Sequence, residues 1–243
     1  MKQLPMDNWL YGFIACAVAV TILAYLPRWI RRYRLWRWRN HLSLDLHQRV
    51  YQQLYETVNG YALSLEARKA NDAMEYVYGE IKFLPFIALL SLVSLNKDTV
   101  FYDLGSGTGK AVLACAMVFY PHKCCGIEHF ENLYQTACLQ QEKLSQLPLY
   151  QEKARSIHFY HANFLEFDLT DANVIFINAT SFFGETWEKL NERLDSLAHC
   201  HTVITTSKPL LSKCYKLVMS TKLEVSWGLV SAYIHKRKSL AKD

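Results

Sequence analysis

The chain has no C-x-x-C pair among its seven cysteines (16, 115, 124, 125, 138, 200 and 214) and no Cys/His ligand spacing, so no metal site is expected from it. The cysteine count is odd and most lie in apolar runs, which predicts buried thiols in a reducing compartment. His158 and His161 stand three apart on an expected strand and would point to opposite faces, while His199 and His201 flank Cys200 in an expected loop. Acids are scarce at one end. Residues 1–40 hold seven basic side chains and a single acid, Asp7, leaving 20 basic and 21 acidic residues in the remainder. A remainder so near neutral argues against nucleic acid as a partner.

Charge is missing altogether from Asn8 to Pro27 apart from the flanks, a run of twenty residues framed by Trp9, Tyr11 and Tyr25. As a helix this run would span about 30 Å, the thickness of a bilayer's hydrocarbon core. Only Lys2 precedes it and no small-x-small cleavage site follows, so a membrane anchor (1–27) is expected rather than a signal peptide. Residues 28–40 interleave arginines with Trp29, Tyr33, Trp36 and Trp38, a composition suited to the headgroup layer. The positive-inside rule then puts the large domain in the cytoplasm. Residues 41–75 repeat apolar side chains at helical spacing (Val50, Leu54, Val58), break at Asn59-Gly60 and resume, which predicts a two-helix cap.

What is present is organised around Val100-Phe101-Tyr102-Asp103-Leu104-Gly105-Ser106-Gly107-Thr108-Gly109-Lys110. An apolar strand, a glycine turn and an apolar helix open a nucleotide-binding α/β unit. The dinucleotide fingerprint is G-x-G-x-x-G, and here the third glycine comes one residue early, with Asp103 directly before the turn. Glu128 closes a second strand, Lys123 to Glu128, where an acid can accept the ribose hydroxyls. Asp-Leu-Gly-Ser-Gly-Thr-Gly resembles the first motif of class I methyltransferases, which bind S-adenosyl-L-methionine. That cofactor lacks a pyrophosphate but carries an α-ammonium and a sulfonium, which a carboxylate can face.

Further strands are predicted at 156–160, 174–177 and 202–206, and a closing hairpin at 214–219 and 229–235. Helices are expected near 83–95, 132–147 and 185–197. Ligands sit at the carboxyl ends of such strands, which places Asn163-Phe164 near the adenine and Asn178 near the methyl group.

Six motifs in order, Val77-Tyr78-Gly79-Glu80, the Asp103 turn, Asn163-Phe164-Leu165, Val174-Ile175-Phe176-Ile177-Asn178, Ser207-Lys208-Pro209 and Val225-Ser226-Trp227, are similar to one family over 76–235. It is the non-SET histone lysine methyltransferases of the disruptor-of-telomeric-silencing type. The resemblance implies an α/β, Rossmann-like seven-stranded class I methyltransferase domain (76–243) behind the helical cap and the transmembrane helix. It implies that Tyr78, Glu80, Asp103, Gly105, Ser106, Gly107, Gly109, Lys110, Glu128, Asn163, Phe164 and Asn178 surround the cofactor. Asn178 would hold the acceptor amine through its carbonyl, with Phe182 and Tyr233 walling the channel. The chain departs from the family at Asn163 (an acid there), Ala179 (a second asparagine) and Ala232 (the first of two tyrosines), and only Lys236-Arg237-Lys238 echoes its basic extension. The expected partner is a protein lysine at a membrane; a small or lipidic amine and a non-catalytic cofactor-binding role are the alternatives.

Overall fold

A computed structural model describes residues 7–71 and 79–238, and the chain divides into two compact units, Met1–Asp45 and Leu46–Asp243. Tyr78, expected at the cofactor, lies outside the described residues.

In the first unit one helix, α1 (Asp7–His41), carries both the uncharged run and the arginine-rich segment, continuing through Pro27. Its stretch Tyr11–His41 has a window of mean hydropathy 1.8, long and apolar enough to cross a membrane. Side chains such as Phe13 and Leu23 are exposed along it. Arg39 pairs with Asp45 just beyond its end.

The second unit takes in the remainder of α2 (Leu44–Tyr55) and α3 (Gly60–Asn71), with the break where Asn59-Gly60 predicts it; Asn59 Oδ1 accepts the Ala62 N–H at 3.0 Å, as a helix N-cap does. Next come α4 (Phe83–Leu90), β1 (Val100–Leu104), α5 (Lys110–Phe119), β2 (Lys123–Glu128), α6 (Glu131–Ser145), α7 (Gln151–Arg155) and β3 (Ile157–His161). β4 (Val174–Ile177), α8 (Gly184–Ser196), β5 (Thr202–Thr206), β6 (Tyr215–Val225) and β7 (Gly228–Arg237) complete it. The seven strands form one sheet in the order β3-β2-β1-β4-β5-β7-β6, with parallel pairing from β3 to β5 and β7 antiparallel to both β5 and β6.

This order has a consequence for function. The chain runs outward from β1 to β2 and β3, then returns to β4 on β1's other side, so the carboxyl ends of β1, β2 and β4 flank the switch point where ligands bind in open α/β sheets. In register, Asp103 lies opposite Gly126 on β2 and Phe176 on β4.

The inner strands are apolar because both sheet faces are covered, and β4 is buried at all four positions. On one face Tyr102, Ile127, Ile175, Ile177 and Leu190 belong to a single core cluster. Phe86 on α4 meets Phe176 edge-on with ring centroids 4.9 Å apart. His47 Nδ1 and Tyr150 Oη, 2.7 Å apart and buried, tie α2 to the turn before α7.

Two expected boundaries shift. α4 ends at Leu90 instead of 95, where Ser91 Oγ bonds back to Ile87 O and Asn96 closes a turn with Thr99, giving the backbone alternatives to the helix. The hairpin strands are longer than expected. β6 continues through Ser220, Thr221 and Lys222 because an edge strand tolerates polar, outward side chains, and Val225 is its last residue, not part of the turn.

Replacing Phe86 by alanine removes a fully buried ring at the α4–sheet contact. It should lower unfolding free energy by about 3–5 kcal/mol, read from the urea midpoint at constant m-value.

Candidate active site

β1 leads directly into the site. Its last residues, Asp103 and Leu104, are buried, and the chain then turns through Gly105 and Gly107 at φ +81° and +55°. Gly105 and Ser106 both donate their N–H groups to Ile127 O, at 2.9 and 3.0 Å, which folds the turn against β2. Gly109, also at φ +81°, allows no side chain: a Cβ there would lie 2.5 Å from Phe159 Cζ. Tyr55 Oη on α2 donates to Thr108 O at 3.0 Å, so the cap braces the turn from outside.

Two carboxyl groups face the space the turn encloses, and their surroundings differ. Glu128 Oε2 accepts the Gly107 N–H at 2.7 Å and Oε1 the Phe130 N–H at 2.9 Å. Asp103 accepts no hydrogen bond among the described residues. Burial, and after it the negative charge of Glu128, push the Asp103 carboxyl well above the usual carboxylate range. Burial also raises Glu128, against the pull of its backbone donors. Ser106 Oγ, like Asp103, is unspent: it is buried with no partner among the described residues.

The cavity around these groups is lined by Glu80, Asp103, Gly105, Ser106, Gly107, Lys110, Glu128, Phe164, Asn178 and Phe182, which brings together most of the residues expected there. Lys110 Nζ and Glu80 Oε2 pair at 2.5 Å, and the same ammonium lies 5.1 Å from the centroid of the Tyr55 ring. The segment carrying Glu80 is strapped by the β6–β7 turn: Ser226 N–H donates to Glu80 O at 2.9 Å, and Ser226 Oγ accepts the Glu80 N–H at 3.2 Å. Trp227 packs so close to Gly79 that a Cβ there would sit 1.9 Å from the indole.

Three expected residues stand outside the lining. Gly109 acts behind it, through packing on Phe159. Asn163 spends its side chain on its own turn, accepting the Leu165 N–H and donating to Glu166 Oε1, each at 3.0 Å. Tyr233 sits within β7 opposite Thr205. Asn178 lines the cavity with its amide already committed: Nδ2 donates to Gly79 O at 3.0 Å, and Oδ1 accepts Thr206 Oγ1 at 2.6 Å and Thr180 Oγ1 at 3.0 Å.

Sequence reasoning missed Ser64, Ile81, His129, Phe130 and Phe176 in the lining. Phe176 carried a signal, since it lies two residues before Asn178 on the same strand face, and His129-Phe130 directly follow the strand-ending acid. Ser64 carried none, because α3 reaches the site through long-range ties, the packing of Leu63 and Ala67 on Phe130 and Leu133 and the Asn132 amide donating to Leu63 O.

Residues 56–233 match the family model of the histone methylation protein DOT1, nearly three quarters of the chain. The chain belongs to the DOT1 family. Comparison with curated proteins returns no match. Among solved structures, an RNA methyltransferase from Salinibacter ruber in complex with S-adenosyl-L-homocysteine aligns at 19% identity and TM-score 0.51, covering 65% of this chain and 94% of that one. The magnesium protoporphyrin IX methyltransferase of Synechocystis PCC 6803 with bound S-adenosylmethionine aligns at 10% identity and TM-score 0.50, covering 75% and 99%. The B. subtilis m1A22 tRNA methyltransferase aligns at 16% identity and TM-score 0.50, covering 64% and 66%. These DOT1-family and methyltransferase likenesses agree on a Rossmann-like class I methyltransferase fold.

Burial favours the protonated form of Asp103 and a cation placed beside it favours the charged form, so cation binding is coupled to proton release there. Affinity for a cationic ligand should therefore rise with pH, by up to about tenfold per unit, until Asp103 is ionised in the free protein. Calorimetric titration of S-adenosylmethionine at several pH values measures this slope. Asp103→Asn should weaken binding and flatten the slope, leaving a remainder from Glu128.

Proposed function

We propose that this DOT1-family protein is a membrane-anchored N-methyltransferase that moves a methyl group to the ε-amine of a protein lysine. The cofactor is S-adenosylmethionine, which supplies the methyl group on a positively charged sulfur. The observation that carries the reading is the buried Asp103 carboxyl, without a hydrogen-bond partner among the described residues, beside the unpartnered Ser106 Oγ and the backbone-held Glu128, a donor and acceptor set suited to a cationic adenosine derivative.

Each wall has a task in this reading. Glu128 keeps acceptor capacity for ribose hydroxyls, and Phe164 offers an apolar face to the base. Lys110 and Glu80 present one charge of each sign to the carboxylate and ammonium of the methionine end. The acceptor lysine must lose its proton before it attacks. Phe164, Phe176 and Phe182 exclude water on that side, and a buried amine beside a fixed positive charge has a lowered pKa. When bound, S-adenosylmethionine would supply an electrophilic methyl group with a neutral sulfur leaving group, and the acceptor nitrogen held against this wall would take the methyl and release its remaining proton to solvent.

Asn178 has a changed part. Its side-chain oxygen, expected to hold the amine, already accepts two hydroxyl protons, so Asn178 positions the acceptor by joining Gly79, Thr180 and Thr206 into one wall. The DOT1 match supports a protein substrate, and the exposed, apolar α1 followed by arginines supports a membrane setting.

The test is methyl transfer from labelled S-adenosylmethionine into a membrane extract by the full chain. Label should enter protein, on lysine, and not lipid. Asn178→Ala should cut turnover by ~10²-fold through misplacement of the wall, with cofactor affinity changed only a few-fold. Label confined to lipid or small amines, or absent while the cofactor binds, contradicts the assignment.

A further inference from the structure

The motif Ser207-Lys208-Pro209 ends β5 and contributes nothing to the cavity lining. Its contacts are nonetheless ordered. Thr206 Oγ1 donates to Asn178 Oδ1 at 2.6 Å, Ser207 Oγ lies 2.8 Å from Thr180 Oγ1, and Lys208 Nζ donates to the main-chain oxygen of Phe182. Three successive residues thus reach three alternate residues of the loop that follows β4.

An extended strand cannot do this, because successive side chains point to opposite faces. The alternation is broken at Ser207, whose φ is +67°, a left-handed conformation uncommon for any residue but glycine. Strain of this kind persists only where neighbours hold it. Here Ser207 N–H donates to Ser231 O at 2.7 Å, Thr205 Oγ1 to Lys208 O at 2.7 Å, and Lys208 N–H to Thr206 O at 2.8 Å.

The far end of the clasp is built with equal care. The Lys208 ammonium lies 3.9 Å from the centroid of the Phe183 ring and 5.2 Å from a Trp187 ring, so two aromatic faces hold the cation while it grips Phe182 O. The Phe182 ring lines the cavity, lies 5.0 Å from Phe164 between centroids, and approaches Gly105 so that a Cβ there would be 3.3 Å from its Cζ. The position of Phe182 O therefore sets where the ring stands against the glycine turn.

We propose that Lys208 is a positioning residue for methyl transfer, fixing residues 178–182 as the wall against which the acceptor amine is aligned. This rests on the reading of that loop as the acceptor side of a lysine methyltransferase. Lys208 touches neither the amine nor the cofactor in this proposal, and acts through Phe182.

Lys208→Met in the full chain keeps an unbranched side chain one atom shorter and removes the donor and the charge. It should lower kcat by ~10- to 100-fold with KM and the Kd for S-adenosylhomocysteine within about twofold of the parent. Amide hydrogen exchange of residues 179–183 should quicken, and Lys208→Arg, which can still donate and stack, should restore both exchange and most of the rate. A kcat within about twofold of the parent, or a loss of cofactor affinity that matches the loss of rate, overturns the proposal. Should Lys208→Met lose its cooperative unfolding transition, Ser207→Ala removes one contact of the same clasp and is read in the same way. If the parent chain methylates no lysine, the proposed function fails by itself, and the exchange comparison still decides whether the clasp exists.

Discussion

A carboxyl group buried at the end of the central strand, with no hydrogen-bond donor among the described residues, is the constraint to which the second unit is fitted. Burying a charge without a partner is strongly unfavourable, and burial accordingly pushes the Asp103 carboxyl well above the usual carboxylate range. Glu128 meets the same difficulty differently, through the N–H groups of Gly107 and Phe130. The glycine turn serves both groups. Its left-handed residues bring the Gly107 N–H to Glu128 and leave open space in front of Asp103.

The loops around that space are held from behind by long side chains. Arg193 on α8 donates to Leu165 O at 2.7 Å and to Phe167 O, fixing the segment that carries Phe164. Lys208 does the same for Phe182, and Ser226 with Trp227 for Gly79-Glu80. For Arg193 and Lys208 the donor comes from a different element and the acceptor is main chain, so these side chains set the wall from outside the cavity. Functional loops on a rigid sheet commonly need such support, because positioning errors near 1 Å are expensive in rate.

Much of this was legible in the sequence, and for definite reasons. β2, β4 and β5 fall on the residues expected, since each is a short apolar run bounded by turn residues and buried on both faces. The Asp103 turn and Glu128 were legible because their spacing is local. Other ties that shape the cavity join residues about 100 or more positions apart, Asn178 with Gly79 and Glu80 with Ser226, and no local pattern announces them. Asn163 and Tyr233 were placed at the site by analogy of position; in the fold one closes its own turn and the other pairs with Thr205 within β7, outside the lining. Edge strand β6 was underestimated because its exposed polar residues hide the alternation that marks a half-buried strand.

The central claim is that the acidic glycine turn and Glu128 together form a site for an adenosyl sulfonium. Its most direct test is isothermal titration calorimetry of the full chain in detergent with S-adenosylmethionine, S-adenosylhomocysteine and NAD in parallel. The account predicts saturable heat with the first two and none with NAD. Absence of heat with both adenosyl ligands, or tight uptake of NAD instead, would contradict it.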